Sequence, residues 1–379
     1  VQPLGNALLA ATHPHNAPFA NRTAGLGLFA ALDDAALLYL VVGNLTFFDD
    51  ASVLTLIQCS RAFYVLANAE EVWRARTIAR FGGALGTFRD SWKNTFKACL
   101  AGDRMPADAP IKVGLYSDFL FGSWRCSTVP LDILCRADAK ETIDRRSGLS
   151  LADFVREYDE PGKPVILTDI VTQWPAYHKW SMGHLESTLG DTVFRAEAID
   201  CTFKTYAEYA RVNRAHEDAF EEAPLYLFDK FFSKRTQLAG DYTVPEYFSQ
   251  DLFRLLGEDA RPDYRWIIIG PARSGSTFHL DPNSTSAWNA VITGSKKWIL
   301  FPPDCVPPGV FPSADGSEVT TPISLAEWFM NHYDEMESWP VKPIECVCRA
   351  GEVIYVPRGW WHCVMNLEES IAITQNFVN

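Results

Sequence analysis

His279, Asp281 and His362 are the residues of this chain whose types and spacing can do chemistry. Two imidazoles and one carboxylate hold a divalent transition metal on one face. The remaining positions stay open, as in non-haem Fe(II) oxygenases. His279 and Asp281 are separated by one residue, so on a strand both project to the same side. Their flanks are distinctive: Gly275-Ser276-Thr277-Phe278 precedes the first pair and Pro357-Arg358-Gly359-Trp360-Trp361 precedes His362. A single histidine is more often a hydrogen-bonded core group than a ligand. His178, His184, His216 and His332 read as structural or surface residues.

A set of strands has to present these ligands. Arg265–Ile269 reads as a strand entering Gly270-Pro271, and Thr277–Asp281 as the next. Ser286–Ile292 and Ser295–Phe301 read as a hairpin around Thr293-Gly294. With a two-residue turn, Val291 lies opposite Lys296. Asn289, Val291, Lys296 and Trp298 then share one face, and Lys297 takes the other. An ammonium among apolar neighbours is costly unless compensated. A bound dicarboxylate would neutralise Lys296; alternatively the side chain snorkels to the surface. Val353–Pro357 and Trp360–Leu367 read as a further hairpin, and Ile371–Phe377 as the returning strand. A three-residue loop puts His362, Thr374 and Asn376 on one face. A two-residue loop replaces Thr374 by Gln375.

The chain has 379 residues, room for two or three domains, and a net charge of −13. Such acidity disfavours a grip on nucleic acid through phosphates and suits a basic peptide or protein partner. Nine cysteines without C-x-x-C spacing suggest reduced thiols in a nuclear or cytoplasmic protein. A zinc site from Cys346 and Cys348 with His362 or Cys363 is conceivable, but plain buried thiols are the simpler account. Ala35–Val42 is too short to span a bilayer, and no membrane association is expected. Val1 is not an initiator Met, so a trimmed fragment is an expectation.

Residues 1–30 read as a flexible tail. Residues 31–100 read as helices, with Asp33-Asp34 and Asp49-Asp50 at two starts and a third helix holding Val65, Leu66, Val72 and Trp73. This region resembles an F-box at Leu45, Asp50, Leu54, Cys59, Ser60, Arg61, Phe63 and Val72-Trp73, without the usual opening Leu-Pro pair. The resemblance implies docking to the adaptor of a cullin-type ubiquitin ligase. A helical extension packing on a catalytic domain is the alternative. Residues 101–110 read as a linker, and 111–379 as the catalytic domain with a barrel core from about 225.

The stretches Tyr264–Pro303 and Gly351–Val378 resemble the JmjC (jumonji C) family of Fe(II)- and 2-oxoglutarate-dependent oxygenases. Within it, the likeness is to the branch of arginine demethylases and lysyl hydroxylases. Supporting segments are Pro224–Asp229, Gly270–Gly275, Thr285–Ala290 and Ile371–Phe377. The resemblance implies an α+β chain whose helical N-terminal part precedes a double-stranded β-helix, the jelly-roll or cupin barrel. It makes His279, Asp281 and His362 the iron ligands. It places the remote carboxylate of 2-oxoglutarate on Lys296 and Thr374, lined by Tyr226, Asn289 and Ser276. Asn376 would either contact the cosubstrate or support a residue that does. Ser276 stands where relatives carry Thr and keeps the hydroxyl.

The implied activity is hydroxylation of a lysine or arginine side chain in a protein, or demethylation of an N-methyl group, with O2 as co-reactant. Two rivals remain from the sequence: a ubiquitin-ligase substrate receptor whose barrel only binds, and an oxygenase acting on modified tRNA.

Overall fold

The computed structural model describes residues 1–6, 19–102, 111–136, 141–215, 221–314, 316 and 318–379. Most of the expected linker, part of the expected tail and His216 lie outside them. The chain forms two compact units. One comprises Val1–Thr128 with Ala198–Val212, the other Val129–Glu197 with Asn213–Asn379.

The first unit is helical. Asp49 caps the helix Asp50–Cys59, its carboxylate accepting from Ser52 N at 2.8 Å. Ser60 caps the next helix, Arg61–Ala67, through Phe63 N at 3.1 Å. The single helix expected around Val65–Trp73 is two helices, because the chain breaks at Asn68-Ala69 before Glu70–Phe81. Trp73 bridges the break by donating its indole N–H to Ala67 O at 2.9 Å. The apolar period runs through the break because Leu66, Val72 and Trp73 are all buried. Residues 19–30, expected as tail, are folded: Arg22–Leu26 is a helix capped by Asn21, and the Ser60 hydroxyl donates to Gly25 O at 2.7 Å. Arg76 is fully buried and donates to Val42 O, Phe48 O and Asp50. Each of its neighbours is an acceptor, which is what a buried guanidinium needs.

The second unit is built on two sheets. The larger runs in the order Asp144–Arg146, Val165–Leu167, Val353–Val356, Ser286–Thr293, Ser370–Phe377, Arg265–Gly270, Leu227–Asp229, Val193–Ala196. The smaller runs Ile344–Arg349, Ser295–Phe301, Trp361–Asn366, Gly275–His279. From Arg265 onward, each barrel strand except Ile344–Arg349 lies in the sheet opposite its predecessor, the pattern of a double-stranded β-helix. The two expected hairpins, and the pairing of the returning strand with its chain neighbour, are therefore corrected. Ser286–Thr293 pairs with Val353–Val356 and Ser370–Phe377, not with Ser295–Phe301. Trp361–Asn366 pairs with Ser295–Phe301 and Gly275–His279, not with its chain neighbours. Gly294, at φ 80°, turns the chain across to the other sheet. A Cβ there would meet Glu369 O at 2.4 Å, so glycine is required. The alternation of inward residues survives because facing sheets enclose one interior. Val291, Trp298, Leu300, Cys346, Cys348, Ile354, Val356 and Val364 fill it.

Candidate metal centre

His279 closes the strand Gly275–His279, two positions short of the expected strand end at Asp281. Asp281 follows in extended conformation and opens the turn Pro282–Ser284. His362 is the second residue of its strand and is paired directly with His279. The ligand atoms of His279, Asp281 and His362 all lie within 4.8 Å of one another. They are the sole such cluster among the described residues, so Cys346 and Cys348 do not assemble a zinc site.

The donor set fits a metal. His279 Nδ1 lies 2.7 Å from Thr277 O, and His362 Nδ1 lies 3.0 Å from Trp360 O. A carbonyl can only accept, so each Nδ1 carries the proton and each Nε2 keeps a lone pair for the cation. The two rings are 4.2 Å apart, and Trp298 stacks on His362 at 5.8 Å. Burial holds His362 down at about 4, helped by His279 and opposed by the Asp281 carboxylate. The ring is therefore neutral near pH 7, the form that ligates.

The expected cosubstrate residues converge on the same cavity. Tyr226, Ser276, Asn289, Thr374 and Asn376 line it together with the triad. Asn289 Oδ1 is buried without a protein partner. Thr374 donates its hydroxyl to Trp288 O at 3.0 Å, and Asn376 Nδ2 donates to Thr285 Oγ1 at 2.8 Å. Gln375, the alternative at the open register, faces the other way and donates to the Tyr242 hydroxyl. Lys296 is fully buried, and its Nζ donates to Tyr226 Oη at 2.9 Å and Asn366 Oδ1 at 2.6 Å. Among the described residues no carboxylate is its partner. Burial pulls its ammonium down to about 7. A buried cation with no anion beside it among the described residues fits the remote carboxylate of a dicarboxylate guest.

Sequence reading missed Asn366. Its signal was available: His362, Val364 and Asn366 alternate on one strand, so Asn366 is a polar group on the ligand's own face. It also missed Phe228, which lines the cavity and whose ring lies tilted 5.3 Å from that of Trp266.

Comparison with known proteins places this geometry. Residues 151–379 match the cupin-like domain. The chain belongs to the cupin-like JmjC family. It is 46% identical over 388 residues to arginine-specific demethylase JMJ22 of Arabidopsis thaliana, covering 100% of this chain and 73% of that protein. It is 36% identical over 253 residues to the bifunctional arginine demethylase and lysyl-hydroxylase psr-1 of Caenorhabditis elegans, covering 63% and 62%. It is 29% identical over 262 residues to the 2-oxoglutarate and iron-dependent oxygenase JMJD4 of Homo sapiens, covering 62% and 61%. The chain thus spans less than two thirds of the latter two. Among the described residues no helix is long and apolar enough to cross a membrane.

Proposed function

We propose that this chain is an Fe(II)- and 2-oxoglutarate-dependent dioxygenase that hydroxylates a lysine or arginine side chain of a protein, or removes an N-methyl group from one. The observation that carries the reading is the pairing of His279, Asp281 and His362 with a fully buried Lys296 that has no carboxylate partner among the described residues. When bound, iron and 2-oxoglutarate supply the activation of O2 and the oxidation of a C–H bond.

The protein's own contribution is positional. His279, Asp281 and His362 hold one face of the metal, and their backbone-tethered rings need no reorientation. Lys296, Tyr226 and Thr374 orient the cosubstrate, with Asn289, Ser276 and Asn376 lining its sides. Apolar walls from Ile268, Val356 and Val364 exclude water. The carbon presented to the metal decides the product. A hydroxylated side-chain carbon stays as an alcohol, whereas a hydroxylated N-methyl group collapses by C–N cleavage to the demethylated amine and formaldehyde.

A basic substrate is supported by Phe228, which is 39% exposed and lines the cavity with its ring tilted 5.3 Å from that of Trp266. An aromatic face holds a lysine or arginine side chain by cation–π attraction. The net charge of −13 favours the same partner and disfavours tRNA.

A ligase adaptor is proposed as a second partner for the helical unit, supported by the capped helices Asp50–Cys59 and Arg61–Ala67 and by the exposed Leu45 and Leu54. All nine cysteines are free thiols, which supports a reducing, nuclear or cytoplasmic setting. For the domain layout we keep the helical region at 31–100 and the oxygenase at 111–379 as a proposal.

The test is succinate formation from 2-oxoglutarate with Fe(II) and ascorbate, comparing wild type with His279→Ala, with and without Lys/Arg-rich peptides. Turnover that needs His279 and rises with peptide is expected. Undiminished turnover in His279→Ala sinks the triad assignment. Absence of succinate from the wild type under every condition favours a barrel that only binds.

A further inference from the structure

Lys296 lies between two neighbours in the smaller sheet, directly paired with Asn366 on one side and Cys348 on the other. An ammonium has three donors. Two are engaged, by the Tyr226 hydroxyl at 2.9 Å and by Asn366 Oδ1 at 2.6 Å. Asn366 is itself fully buried and held at every polar atom. Its Nδ2 donates to Ser274 Oγ at 2.9 Å and lies 3.4 Å from Gly270 O. Its backbone N–H donates to Ser274 O, and its carbonyl accepts from Arg273 N, both at 2.8 Å. Ser274 is fixed in turn by donating to Pro271 O at 2.6 Å.

The loop that makes these contacts is Gly270–Gly275, the motif the metal ligands do not explain. Arg273 adopts φ 73°, and its guanidinium donates to Val129 O, which pins the loop from outside. Gly270 leaves the space: a Cβ there would lie 2.1 Å from Ser274 Oγ and 2.9 Å from Asn366 Nδ2. Gly275 allows the approach to the next strand, where a Cβ would lie 1.9 Å from Val364 O. The loop therefore locks one amide orientation, with Oδ1 toward the ammonium. Were the amide reversed, Nδ2 would face Lys296 donor to donor.

Taking the cosubstrate reading above as its basis, we infer that Asn366, locked by Ser274 and the Gly270–Gly275 loop, is the positioning residue that sets Lys296 to select a dicarboxylate over a monocarboxylate 2-oxoacid. It acts through Lys296 and touches neither metal nor substrate. Being neutral, it orients the ammonium without discharging it. A carboxylate in its place would satisfy Lys296 internally and compete with the guest's remote carboxylate.

The experiment is calorimetric binding of 2-oxoglutarate and of 2-oxopentanoate, which lacks the remote carboxylate, to full-length protein loaded with redox-inactive Mn(II). For wild type the dicarboxylate is expected to bind about 100-fold tighter. In Asn366→Asp that preference should fall to within about threefold, while 2-oxopentanoate binds as in wild type. General damage to the fold weakens both ligands alike and leaves their ratio intact. Ser274→Ala, which loosens the lock without adding charge, should reduce the ratio by about three- to tenfold and serves if Asn366→Asp does not fold. An undiminished ratio in the folded variants overturns the inference. A wild-type ratio near one overturns the cosubstrate reading itself.

Discussion

Replacing Lys296 by Met keeps the side chain's length and removes its charge. The ratio of wild-type to variant affinity for 2-oxoglutarate then isolates what the ammonium contributes. Burial holds Lys296 at about 7, against 10.5 in water. Tyr226 and Cys348 beside it stay neutral, because burial pushes both of them up. The sign follows from the depressed value. The charged form, which binds an anion, is complete below about pH 7 and is lost as pH rises through it. Below that point, losing a buried charge-assisted contact costs roughly 3 kcal/mol, about 100-fold in affinity. Above it the ratio should fall by about tenfold per pH unit and approach one near pH 9. Titrations at the metal end affect both proteins and cancel. Calorimetry with Mn(II) between about pH 6 and pH 9 measures the ratio directly. A ratio that stays flat across that range, or is below about threefold at its acid end, refutes the assignment of Lys296 to the cosubstrate. The same depressed value makes the ligand-free protein gain stability as pH rises from about 7 toward 10.5, since the unfolded chain then holds the extra proton.

Two further outcomes are expected. Gly270→Ala forces a Cβ to 2.7 Å from Tyr226 Cδ2 as well as into Ser274. It should lower stability by about 1–3 kcal/mol and weaken 2-oxoglutarate binding; an unchanged melting temperature and Kd would count against the tight packing of that loop. Arg76→Met leaves the carbonyls of Val42 and Phe48 without their donor and Asp50 with Arg80 as its remaining cation. It should destabilise the helical unit by about 3–5 kcal/mol, read as faster limited proteolysis within residues 22–101, and wild-type protection would show that the buried ion pair contributes little.

The chemistry was legible in the sequence because ligands announce themselves by type and local spacing. His279 and Asp281 need only strand alternation to share a side, and the caps Asp49 and Ser60 need only their following helices. Lys296 was also legible as an inward charge, since alternation assigns a face whichever strand lies next door. Strand partnership was another matter. Every consecutive pair read as a hairpin instead crosses between sheets, and alternation is identical in both arrangements. Only closure of the barrel, which buries Val291 against strands distant in sequence, decides between them. The same closure brings Asn366 beside Lys296, 70 residues away, and folds the Gly270–Gly275 loop over it. Residue types and local spacing were enough to pick out the groups that can bind metal and anion. The tertiary structure decided their distances and which polar atoms are left for a guest, because hydrogen-bond satisfaction in a buried site is set by non-local packing.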